Sequence, residues 1–141
     1  MKRFFDTSAL VAAFWGDHVH HAPSLRAFAT ASQTDSACAA HSLAEVYAVL
    51  TRLPLKPPIG SDQALLFLQE IRDRLRIVSL DAGDYADTIW SAAGRGVKGG
   101  RIYDALILAC AFRSGAEVIY TWNVKEFRAL APELADRIRT P

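Results

Sequence analysis

Apolar residues fall along this chain in short blocks separated by longer stretches of helical period. Phe4-Phe5 breaks into Asp6-Thr7-Ser8, the pattern of a short buried strand turning into a helix with Asp6 or Thr7 near the turn. Ala9 to Trp15 is a nearly all-apolar helix that ends at Gly16-Asp17, and a second helix is expected from about Pro23. Ser36 to His41 is a second strand. Ser42-Leu43-Ala44-Glu45 has the S-x-x-E form of a capping box. The helix behind it carries Val46, Val49, Leu50 and Leu53 and stops at Pro54. Ser61 and Asp62 open a further helix with Leu65, Leu66, Leu68 and Ile71 on its apolar side. Ile77 to Leu80 is a third strand ending at Asp81, followed by a helix from Asp84 to about Ala93. Arg95 to Arg101 is a basic, glycine-rich loop. Tyr103-Asp104 opens an apolar helix, Ala105 to Phe112, with Gly115 where a C-terminal glycine belongs. Val118 to Thr121 is a fourth strand, and an amphipathic helix runs through Leu130 and Leu134 towards Ile138.

Strands alternating with helices predict an α/β fold whose parallel sheet is covered on both faces. Strands that are apolar throughout agree with that burial. The 141 residues suit one domain, 1–141, and 51% hydrophobic composition supplies a core without disulfides. Cys38 and Cys110 lack the spacing of a disulfide scaffold or zinc site. The longest stretch free of acidic and basic residues, Thr7 to Gly16, is too short to span a bilayer, and Asp6 interrupts any leader-like run after Lys2 and Arg3. A cytoplasmic protein with no membrane partner is the expectation. A net charge of +1 does not by itself indicate a nucleic-acid binder.

Ligands of parallel sheets bind outside the carboxyl ends of the strands. Asp6 follows the first strand, Glu45 lies early in the helix after the second, Asn123 follows the fourth, and Asp104 opens a helix expected to pack on the sheet. Each has a structural alternative: a helix cap for Asp6, a capping-box partner for Glu45, a helix-dipole acid for Asp104 and a turn residue for Asn123. Together they predict an acidic pocket. Two carboxylates about 4 Å apart repel by roughly 4 kcal/mol at an effective dielectric near 20. A pocket of three therefore calls for protonation or a cation. Oxygen ligands suit Mg²⁺ or Mn²⁺, the ions of phosphodiester hydrolysis.

Four segments carry a family resemblance: FFDTSALVAAF at 4–14, SLAEVYAVLTR at 42–52, IYDALILACA at 102–111 and VIYTWNVKEF at 118–127. They resemble the motifs of the PIN-domain ribonucleases, most of all the VapC-type toxins of bacterial toxin–antitoxin pairs. The resemblance implies a three-layer α/β/α fold with a parallel sheet of about four strands and an acidic pocket at the strand C-terminal ends. It also implies an endoribonuclease dependent on Mg²⁺ or Mn²⁺. Asp6 and Asp104 would be the central metal ligands. Glu45 would bind metal directly or through water, or orient the attacking water. Asn123 stands where many members carry Asp, and its amide brings no negative charge. Thr7 and Thr121 resemble hydroxyl positions that support the pocket. Glu126, before Phe127, reads as a surface acid. The implied partners are RNA, a cognate antitoxin and a second copy in a homodimer.

Other signals are weaker. His18, His20 and His21 lack a nearby fourth ligand, which favours an RNA-contacting rim over a metal site. Arg95, Lys98 and Arg101 are either a solvated loop or a guide for the phosphate backbone, and the loop lacks the order of a P-loop. Arg72, Arg74 and Arg76 read as a solvated helix end. Trp122, beside Asn123, is the best placed of the three tryptophans to stack on a base. A dehalogenase-like phosphatase would need a second acid two residues after Asp6, where Ser8 stands. A non-catalytic module that binds RNA or a partner is the other reading, with Asn123 as its main support.

Overall fold

The computed structural model describes residues 1–141. The chain runs β1 (Arg3–Phe5), α1 (Thr7–Phe14), α2 (His21–Ala29), β2 (Ser36–Ala39), α3 (Ala40–Arg52), α4 (Ser61–Arg74) and β3 (Arg76–Val78). It continues through α5 (Ala82–Gly94), α6 (Arg101–Arg113), β4 (Val118–Tyr120) and α7 (Val124–Leu130), then a 3₁₀ turn (Pro132–Arg137) and β5 (Ile138–Arg139). The five strands form one sheet in the order β3-β2-β1-β4-β5, and every pairing is parallel.

Side chains alternate across a strand, so Phe4 and Phe5 serve opposite faces. Phe4 packs with Ala37, Ile119, Ile107, Phe127 and Ile138 under α6 and α7. Phe5 packs with Leu10, Phe28, Cys38, Val46, Leu50 and Ile71 under α1 to α4. Two dry layers against one sheet give the expected three-layer α/β/α architecture.

The sheet has five strands where about four were expected. β5 is only two residues long and borders β4 alone, so it leaves no periodic signal. Its approach also replaces the end of the expected last helix: α7 stops at Leu130. The capping box expected at Ser42 and Glu45 does not form, because α3 begins earlier, at Ala40, and places both residues inside the helix. A capping box does form at Asp81 and Asp84, opening α5. Gly115 has φ of 72°, a conformation that suits the glycine ending α6. No helix is long and apolar enough to cross a membrane.

Strand order decides where a ligand can sit. From β1 the chain moves outward to β2 and β3, then crosses back to β4 on the other side of β1. The switch point therefore lies between β1 and β4, and their carboxyl ends open a crevice there. Asp6 and Thr121 are the residues that immediately follow those two strands.

Candidate active site

Asp6 is built into the sheet edge. Its backbone N–H donates to the Tyr120 carbonyl at 2.9 Å, extending the ladder by one residue. Its side chain caps α1 by accepting from the Ser8 N–H. The Ser8 and Thr121 hydroxyls each donate to Oδ2 at 2.8 Å. These hydrogen bonds fall on one carboxylate oxygen and leave Oδ1 for another partner. Burial raises the Asp6 pKa, and the hydrogen bonds from Ser8 and Thr121 oppose that rise. Thr121 Oγ1 also accepts from the Asn123 N–H at 3.0 Å, and Ser8 Oγ accepts from the Trp122 N–H at 2.9 Å. The turn after β4 is thus tied to the first acid.

Glu45 is held from the same helix start. Thr7 Oγ1 donates to Glu45 Oε1 at 2.8 Å and lies 2.9 Å from Ser42 Oγ. Ser42, which the early start of α3 carries into the helix, is fully buried against that threonine. Asp104 sits in the first turn of α6. Its carboxyl is pushed up to about 6 by burial first, then by the charges of Asp6 and Glu45, with Arg101 pulling the other way. Asp6, Glu45 and Asp104 therefore converge electrostatically. No three such side chains close tightly enough to enclose an ion unaided. The donor set is nevertheless that of a hard cation whose remaining positions are filled by water and phosphate oxygens. Repulsion among the acids is the imbalance such a cation relieves.

Asn123 is solvent-exposed, and its side chain makes no capping bond to α7. Glu126 is exposed in the first turn of α7, yet its charge adds to the rise at Asp104. The sequence marked it only as a surface acid. Its offset of three residues from Asn123 is the signal that could have linked it to the site.

The proposed RNA contacts are placed unequally. Arg101 faces Asp104 closely enough to lower its pKa, and Lys98 is exposed in the preceding loop. Arg95 donates to the Leu130 carbonyl at 2.5 Å. It lines a separate cavity of about 330 Å³ between α5, α6 and α7 that contains none of the three acids. Trp122 is stacked on His20 with 3.7 Å between ring centroids and 6° between planes, and its Nε1–H donates to Ser24. One indole face is therefore already covered. The other two histidines take separate partners: His18 accepts from the His20 N–H, and His21 Nδ1 lies 2.8 Å from the Ala12 carbonyl. Arg72 and Arg76 are exposed at the end of α4 and the start of β3, as a solvated helix end requires, while Arg74 pairs with Glu70 and Arg76 also reaches the Ser114 carbonyl.

Residues 3–131 match the PIN domain family. The chain is 33% identical to Ribonuclease VapC40 of Mycobacterium tuberculosis over 134 residues, covering 95% of this chain and 92% of that protein. The fold is similar to the crystal structure of Mycobacterium tuberculosis VapC20, a sarcin–ricin loop cleaving toxin. The TM-score is 0.72 at 18% identity, over 91% of this chain and 95% of that one. It is also similar to VapBC2 from Rickettsia felis, solved with a DNA fragment from its promoter. There the TM-score is 0.66 at 20% identity, over 100% and 99% of the two chains.

Proposed function

The chain belongs to the PIN-domain family, and we propose that it is a divalent-metal-dependent endoribonuclease acting as the toxin of a toxin–antitoxin pair. The observation that carries this reading is that Asp6, at the switch point of the sheet, and Glu45, bound by Thr7 of the helix that Asp6 caps, both reach Asp104 with their charge. The 33% identity to a named ribonuclease over nearly the whole chain supports the RNA substrate.

In this reading Asp6 and Asp104 hold the ion, and Glu45 binds it directly or through a water that it orients. Mg²⁺ or Mn²⁺ would fill this place. When bound, such an ion would supply Lewis-acid polarisation of the phosphate and a lowered pKa for the attacking water. The chain's own groups do the positioning. Ser8 and Thr121 fix the rotamer of Asp6, and Thr7 fixes Glu45, so the carboxylates need not reorganise as substrate arrives. Asp104 must be ionised to serve, so falling pH weakens the site. Asn123 contributes an amide oxygen or nothing, and Glu126 supplies negative charge nearby. Arg101, Lys98 and Trp122 are the proposed RNA contacts, whereas the bond from Arg95 to Leu130 argues for a structural part there.

Exposed apolar side chains support protein partners. Leu65 and Leu66 on α4, and Trp90 and Phe112 on α5 and α6, lie open to solvent. We assign these surfaces to a cognate antitoxin and to a second copy in a homodimer, in the cytoplasm. The reading is tested by incubating the purified protein with single-stranded RNA with and without Mg²⁺ or Mn²⁺. Internal cleavage that needs the ion and is lost in Asp104→Asn supports it. RNA binding without cleavage at any ion concentration would instead favour the non-catalytic module, for which exposed Asn123 speaks.

A further inference from the structure

His41, which no motif singled out, links the acidic site to a second feature. Its Nε2 lies 3.9 Å from Glu45 Oε2, and its ring stacks on Tyr103, with centroids 5.2 Å apart and planes at 11°. Tyr103 precedes Asp104, so this flat pair bridges the helices that carry two of the acids. His41 also forms part of the wall of a cavity of about 190 Å³, lined with it by Ala40, Ser79, Leu80, Tyr85 and Leu106. That space is too large for one water, whose share of liquid volume is ~30 Å³. It is smaller than the ~300 Å³ at which pockets for drug-sized ligands begin. Ala40 and His41 follow β2, Ser79 and Leu80 follow β3, and Tyr85 and Leu106 close it from α5 and α6, which puts the cavity at the carboxyl edge of the sheet where the acids lie.

We propose that this cavity receives one unstacked nucleobase of the RNA, next to the phosphodiester held at the acids, and so reads sequence at the cut. The proposal rests on the ribonuclease reading and gives it a specificity element. A base lies one sugar away from its phosphate, so a base pocket must adjoin the reacting centre, as this one does through His41. Aromatic walls supply the π faces on which proteins stack single-stranded bases. The Tyr103 ring backs the imidazole and holds it in place. The Ser79 hydroxyl and the His41 ring nitrogens supply the donor and acceptor that a base edge requires. An apolar antitoxin side chain would leave those polar groups without a use.

The test has two arms. In the first, 2-aminopurine or pyrrolocytosine is placed at each position in turn of a single-stranded RNA octamer. Fluorescence is then titrated with the Asp104→Asn protein, which carries one negative charge fewer at the site. Quenching is expected at one position. Ser79→Leu, which fills the cavity from its exposed rim, and Tyr85→Ala, which opens it, should each weaken that binding about fivefold or more, the lower end of base–aromatic stacking. In the second arm, a randomised RNA is cut by the otherwise unaltered protein and by each variant. The base preference beside the cut should flatten in the variants. Absence of quenching at every position, or equal quenching and unchanged preference in both variants, overturns the proposal. Failure of the unaltered protein to cut any RNA with Mg²⁺ or Mn²⁺ would sink the ribonuclease reading instead, and the fluorescence arm would still decide whether the cavity takes a base.

Discussion

The two aspartates of the candidate site are held in opposite ways. At the β1 end, Asp6 is buried, caps a helix and receives hydroxyl donors from two elements. At the start of α6, Asp104 is half-buried, and no hydrogen bond offsets the burial and neighbouring acids that push it up to about 6. One carboxylate is part of the scaffold, while the other is left electrostatically unsatisfied. A site that must take up and release a charged ligand needs both: a fixed point that keeps the geometry, and a charge that only the ligand satisfies.

The largest expected effect breaks function at both acids. Asp6→Ala and Asp104→Ala should each lower RNA cleavage by more than about 100-fold, the upper end of what loss of an outer-shell partner costs at a metal site. Their stabilities should differ in direction. Asp6→Ala removes an N-cap, worth about 0.5–2 kcal/mol, and leaves the Thr121 hydroxyl buried without its acceptor. Asp104→Ala removes a repelled charge and should raise the melting temperature of the ion-free protein at pH 7. Equal destabilisation by both would erase the distinction.

Next in size, Thr7→Val frees Glu45 and should cost about 10- to 100-fold in activity or metal affinity. Activity assays at saturating Mn²⁺ would show whether the ion can restore the geometry unaided.

A smaller effect follows from protonation. The folded pKa of Asp104, about 6, lies above its ordinary 3.8, so between these values the folded protein holds the proton more tightly than the unfolded chain. Ion-free stability should therefore fall as pH rises from about 4 to about 6, and Asp104→Asn should reduce that slope, leaving the part contributed by Asp6, whose pKa burial also raises. Divalent-ion affinity should run the other way, dropping as pH falls through about 6. Thermal melts and calorimetric titrations at pH 5 and 7.5 would check both. Asn123→Asp should change activity least, because residue 123 is exposed and joins the hydrogen bonds around Asp6 only through its backbone N–H, which the substitution keeps.

Much of this contrast was legible in the sequence. An apolar pair broken by Asp-Thr-Ser marks a strand end with its cap, so the place of Asp6 is readable from local pattern. Neither Asp6 nor Asp104 is marked as a site residue singly, since a cap or a helix-dipole acid would look the same; only their joint placement at the ends of the elements points to a site. Glu45 is marked in the sequence by its place early in the helix after the second strand; the S-x-x-E spacing offers a cap as the rival reading, which fails because the helix starts earlier, at Ala40, and carries Ser42 and Glu45 inside it towards Thr7. His41 lies one turn before Glu45 on α3, a spacing already present in the sequence, whereas its stacking on Tyr103 and the effect of the Glu126 charge on Asp104 depend on how α3, α6 and α7 approach one another. β5 was hidden for a related reason, since two residues define a strand only once β4 is beside them.

The central claim is that Asp6, Glu45 and Asp104 form one divalent-ion site, and calorimetric titration of Mn²⁺ into the ion-free protein at pH 7.5 tests it most directly. Saturable binding that disappears in both Asp6→Asn and Asp104→Asn, with each variant still folded by circular dichroism, is the expected result. Binding that survives either substitution unchanged, or no binding to the unaltered protein at millimolar Mn²⁺, would contradict it.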